Sequence, residues 1–92
     1  MSSGLMMNSS IYLAKRFAKA KGFSGGIGGW IYSDATGRNI AHGWRKFAHL
    51  YRNEIRSWGL VNARILGAEL AADASIEAIA EALWAKRVKT RR

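Results

Sequence analysis

Ninety-two residues carry 15 Lys/Arg against six Asp/Glu, a formal charge of +9, with 49% hydrophobic residues, no cysteine and no proline. That length and apolar content fit one globular domain and exclude a disordered chain. The missing cysteines exclude disulfide and zinc–thiolate staples, and no run approaches the ~18 uncharged apolar residues of a membrane-spanning helix.

Residues 1–9 are small and polar with methionines, and are expected to fray. Ser9 or Ser10 is expected to N-cap a helix that starts near Ile11. On a helical wheel Ile11, Leu13, Ala14, Phe17, Ala18 and Ala20 share one half, and Lys15, Arg16 and Lys19 the other. Gly22 is the expected stop. This basic, acid-free segment also has the character of a mitochondrial presequence. A chain this short, however, needs the helix in its core.

Five glycines follow within residues 22–29. A Walker loop needs a following Lys, which is missing. A dinucleotide fingerprint needs a preceding strand and a later acid, and neither is present. The flanks do not suit a KH loop. The segment therefore reads as a glycine-rich flexible linker, or as a place of close backbone approach.

Asp34-Ala35-Thr36-Gly37 is a turn signal that closes a hairpin between 29–34 and 38–42. Asp34 would sit opposite Arg38, Tyr32 opposite Ile40, and Trp30 opposite His42. Trp30, Tyr32, Ile40 and His42 form the heavier face, which is the expected core face.

Residues 44–58 carry the clearest helical pattern. Trp44, Phe47, Ala48, Leu50, Tyr51, Ile55 and Trp58 make an apolar face, and Gly59 is the expected end. Arg45, His49, Arg52 and Arg56 recur at spacings of 4, 3 and 4, which aligns them on a helix. The stripe spans ~16 Å at 1.5 Å per residue. Only Glu54 interrupts its positive sign.

Residues 60–85 are alanine-rich, with Glu69, Asp73, Glu77 and Glu81 every four residues. This predicts one long helix, or two in line jointed at 73–75 with Asp73 or Ser75 capping the second. Like charges four apart cost ~0.2–0.5 kcal/mol per pair in an isolated helix. The acidic ladder is therefore expected to face something positive: the basic stripe of this chain, of a second copy in a homodimer, or a separate protein. Ser75-x-Glu77-x-Ile79-Ala80-x-x-Leu83 resembles the start of a helix-turn-helix unit, which would place a turn at Trp84. Residues 86–92 hold five basic residues in seven and are expected to fray.

The fold class expected is α+β: a small single domain with a basic N-terminal helix, one β-hairpin, then two to three amphipathic helices. A positive balance of this size makes nucleic acid the default partner. The candidate phosphate contacts are Arg45, Lys46, His49, Arg52 and Arg56, assisted by Lys15, Arg16, Lys19 and Arg38. Trp30, Tyr32 and Trp44 interleave with Arg38, Arg45 and Lys46, as in a base-stacking platform, unless the core claims them. Two histidines without metal-ligand spacing, and no nucleophile–base set, point away from catalysis, metal or cofactor.

The expected function is thus non-enzymatic binding to nucleic acid or a nucleoprotein complex, and the lack of cysteine fits the cytoplasm. A rival is a small protein-binding inhibitor or adaptor of mobile-element type, anti-CRISPR or antirestriction in role, working through the acidic ladder or an exposed aromatic patch. A second rival is membrane-surface binding through the 10–21 helix.

Overall fold

A computed structural model describes residues 8–33 and 35–90, with side chains through Lys86. Expectations for residues 1–7, for Asp34 and its pairing with Arg38, for residues 91–92 and for the side chains of 87–90 lie outside the described residues. The elements in chain order are α1 (Ser9–Lys21), β1 (Phe23–Gly25), a 3-10 turn (Ile27–Gly29), β2 (Trp30–Ser33), β3 (Asn39–His42), α2 (Trp44–Leu50), α3 (Arg52–Ile65) and α4 (Ile76–Thr90). Among the described residues the class is α+β, with four helices against one antiparallel sheet of order β1-β2-β3.

α1 begins earlier than its serines suggest. The Asn8 side-chain oxygen accepts from the Ser10 and Ile11 amides at 2.8 and 3.2 Å, so Asn8 is the N-cap. Gly22 ends the helix in the left-handed conformation, with its N–H on the Ala18 carbonyl. Tyr12, Leu13, Ala14, Phe17 and Ala18 form the buried face.

The glycine segment is not a linker. Phe23, Ser24 and Gly25 pair with Ser33, Tyr32 and Ile31 of β2, and Ile27–Gly29 closes this first hairpin. The poor strand propensity of glycine is overridden by one aromatic anchor. Phe23 packs on Phe47 and Tyr51, with ring centroids 5.3 and 5.5 Å apart.

The second hairpin keeps the expected Trp30–His42 pair but then shifts. Ile31 pairs with Ala41 and Tyr32 with Asn39, which leaves Ile40 as the extra residue of a bulge. The core face is the lighter one, not the Trp30–Tyr32 face. Ile31 and Ala41 are buried, whereas Trp30 is 38% exposed. Ile31 and Ala41 carry no side-chain polar atom that burial would orphan, while Trp30 and His42 do.

The 44–58 helix is interrupted at Tyr51 (φ −109°, ψ 28°). The bonds from Tyr51 N–H to the Phe47 carbonyl and from Ile55 N–H to the Tyr51 carbonyl persist on either side. The helical course then runs through Gly59 to Ile65. Gly59 is therefore not a stop. A Cβ there would lie 2.8 Å from Ile79 Cγ2 and 3.4 Å from Leu13 Cδ2, because α1, α3 and α4 converge on it.

The 60–85 segment is not one helix. At Gly67 (φ 102°) the backbone turns left-handed. The Gly67 N–H reaches the Arg64 carbonyl and the Ala68 N–H the Ala63 carbonyl, the two bonds of a Schellman stop. Residues 66–75 then cross to α4, which Ser75 caps as expected, its Oγ accepting from the Ala78 amide at 3.0 Å. α4 passes Trp84 without a turn and runs to Thr90, which removes the helix-turn-helix reading and the expected fraying from 86 onward as far as 90. Phe47, Leu13, Ile31, Ile79 and Leu83 are the largest fully buried side chains.

Candidate functional site

α1 and α2 lie side by side with opposite polarity. Ser10 and Ile11 face Arg45, Ala48, His49 and Arg52, while Lys15 and Ala18 face Trp44. Two depressions follow this seam. The first, about 180 Å³, is lined by Asn8, Ser10, Ile11, Arg45, Ala48, His49 and Arg52. The second, about 370 Å³, is lined by Lys15, Ala18, Lys19, Phe23, Ser24, Gly25 and Trp44. Lys15 Nζ stands 5.7 Å from the centroid of the Trp44 ring, within cation–π range.

Two basic clusters far apart in sequence thus become one surface. Lys15 and Lys19 come from α1; Arg45, His49 and Arg52 come from α2 and the start of α3. All five are exposed. Among the described residues, no carboxylate lines either depression. The break at Tyr51 does not scatter the arginines, because the hydrogen bonds flanking it hold the helical advance.

The remaining candidate cations go elsewhere. Arg56 turns toward the 66–75 loop, donating to the Ala72 and Ala74 carbonyls at 2.6 and 2.8 Å. Arg16 donates to the Tyr12 hydroxyl at 2.9 Å, and Tyr12 in turn meets the Trp84 ring edge-on. Arg38 lines a separate depression with Ser33, Thr36, Asn39 and Tyr51. Lys46 is exposed on α2 but lines neither seam depression.

The acidic ladder does not form. Glu69 and Asp73 lie in the 66–75 loop, and only Glu77 and Glu81 share a helix. The four-residue spacing runs from the 66–75 loop into α4, so it carries no common face. The expected contact between basic stripe and acidic ladder is replaced by arginine-to-backbone bonds. Arg64 makes two more of these, to the Leu70 carbonyl at 2.7 and 3.2 Å. Glu81 Oε1 is buried without a hydrogen-bond partner among the described residues.

The aromatic platform is also divided. Only Trp44 joins the seam. Trp30 packs edge-on against His42, with ring centroids 5.1 Å apart. Wheel geometry signalled the cations but not the clamps of Arg56 and Arg64, because their acceptors are loop carbonyls that no side-chain pattern reveals.

A further depression of about 570 Å³ runs between α1 and α3, lined by Phe17, Trp58 and Val61 together with polar residues that include Lys21 and Glu54. Val61 and Ile65 beside it are 54% and 73% exposed. Among the described residues, no group of three His, Cys, Asp or Glu side chains converges as metal ligands. No described helix is long and apolar enough to cross a membrane. Comparison with protein-family models, curated proteins and solved structures finds no match.

Proposed function

We propose that this chain is a non-enzymatic nucleic-acid-binding protein that holds a phosphate backbone along the α1–α2 seam. The observation that carries this reading is that Lys15 and Lys19 line one depression along the α1–α2 seam and Arg45, His49 and Arg52 the other, with no carboxylate among the described residues lining either. Arginine forks suit phosphate oxygens, and lysines add point charge. The groove concentrates the field of a chain that is already strongly positive. Arg38, Arg56, Arg16 and Lys46 drop out of the contact set or become peripheral to it.

Fluorescence anisotropy with a labelled generic duplex at ~50 mM salt, where phosphate contacts are strong, tests this. Saturable binding that Arg52→Glu weakens at least tenfold supports the reading. No binding at that salt removes it.

A protein-docking function is the second reading, and it rests on a different observation. The α1–α3 groove with exposed Val61 and Ile65 is an apolar surface of the kind partners cover. It takes over from the acidic ladder as the surface on which an inhibitor or adaptor would act. Retention of one specific protein in a nuclease-treated pull-down, lost with Val61→Lys, supports it. Loss of every partner after nuclease removes it.

A further inference from the structure

The loop that closes the first hairpin is built to hold one side chain outward. The Gly26 N–H donates to the Trp30 carbonyl. His42 Nε2 lies 2.6 Å from the Gly28 carbonyl, and since a carbonyl only accepts, Nε2 carries the proton. The Gly43 N–H donates to the Gly29 carbonyl at 3.0 Å. Gly28 takes a left-handed φ of 68°, which a side chain would resist. A stretch of glycines, which by composition should be slack, is thus tied to β2, to β3 and to the start of α2.

What this bracing presents is Ile27, 95% exposed. It is the only side chain on Ile27-Gly28-Gly29. Trp30 follows directly, 38% exposed and steadied by the His42 ring. Leaving an isoleucine in water forgoes the burial free energy that an apolar side chain ordinarily contributes to a fold. A slack loop would let that side chain fold back on the sheet; this one does not.

Gly25, just before the loop, lines the seam depression that holds Lys15, Lys19 and Trp44. Gly43, which ties Gly29, precedes Trp44. Ile27, two residues beyond Gly25, therefore stands near the β-sheet end of the depression that holds Lys15 and Lys19. A phosphate backbone held in that depression would pass close to the loop, and the apolar parts of a nucleic acid are its bases.

We propose that Ile27 is a wedge that enters a base step of duplex DNA from the minor groove while the α1–α2 seam holds the backbone. This rests on the nucleic-acid reading above and adds to it a duplex ligand and a deformation. Apolar wedges of this kind unstack one step and kink the duplex by roughly 20–90°. The glycines on either side of Ile27 keep the loop slim enough to follow it into the narrow groove. Trp30 covers the edge of the opened step.

The test is an end-labelled duplex of ~25 base pairs, read by energy transfer between its ends at ~50 mM salt, where backbone contacts persist. Saturating wild-type protein shortens the end-to-end distance by an amount corresponding to a kink of roughly 20–90°. Ile27→Ser binds within about threefold of wild type with the same salt slope, as expected if phosphate contacts dominate affinity, but leaves the duplex straight. Ile27→Leu restores the kink. Ile27 is on the surface, so an unchanged thermal midpoint for Ile27→Ser confirms that only the wedge was removed. Wild-type binding without shortening overturns the wedge and leaves the seam intact. No binding overturns the underlying reading and the wedge with it. If Ile27→Ser leaves the duplex response unchanged but abolishes flotation with anionic vesicles, the loop serves a lipid surface and the wedge is wrong.

Discussion

Gly59 shows how one missing side chain fixes three helices. Leu13 of α1 and Ile79 of α4 approach α3 where a Cβ would stand. Gly59→Val is predicted to destabilise the fold by ~1–3 kcal/mol through overpacking, read as a lower urea midpoint. Gly59→Ala adds a smaller atom group and gains ~1 kcal/mol of helix propensity, so its net loss is smaller. A Val variant as stable as wild type would refute the close approach. Phe47 is fully buried among Phe17, Phe23, Trp44 and Tyr51. Phe47→Ala is predicted to cost ~3–5 kcal/mol, a large part of the ~5–15 kcal/mol available to a typical domain. The burial of Phe47 was legible from its place on the apolar wheel. The role of Gly59 was not, because a glycine after Trp58 is equally a helix stop, and only partners more than 15 residues away in either direction tell the two apart.

At the scale of elements, the 66–75 loop is held by side chains of the helix before it. Arg56 and Arg64 donate to carbonyls at Leu70, Ala72 and Ala74. Arg56→Gln is predicted to cost ~1 kcal/mol, since net contributions of charged hydrogen bonds are reduced near solvent, and to speed amide exchange across the loop. It should leave nucleic-acid binding within about twofold of wild type; a loss matching that of Arg52→Glu would return Arg56 to the phosphate contacts. Ser75→Ala should cost ~1 kcal/mol as α4 loses its cap, measured by thermal unfolding. The loop was hidden by a coincidence of spacing. The period of the four acids begins just after Gly67, where the Schellman bonds have already ended α3, and runs without a break from the loop into α4. The glycine segment was misread for a related reason. Its composition says slack, but Phe23 docks on the aromatic cluster and the pairing of β1 with β2 follows. The hairpin face was misread by weight alone, since ring nitrogens kept Trp30 and His42 outside.

On the scale of the whole molecule, the central claim concerns which charges meet. The sequence shows that the chain is basic, and wheel geometry aligns Arg45, His49 and Arg52. It does not show that α1 lies along them, nor that Lys15 and Lys19 stand on the same seam, because that depends on the packing of Ile11, Ala18 and Trp44 across it. It equally does not show that Arg56 faces away. The fold therefore separates two pairs of arginines that composition treats alike: Arg45 and Arg52 line the seam, while Arg56 is bonded to the 66–75 loop and Arg38 lines another depression. Salt titration of duplex binding distinguishes them most directly. Four permanently charged seam contacts predict a slope of log K against log salt of about −3 to −4. Arg45→Gln with Arg52→Gln should reduce the magnitude of that slope by about 2, and Arg38→Gln with Arg56→Gln should leave it nearly unchanged. A slope insensitive to the seam pair, or equally sensitive to both pairs, would contradict the assignment.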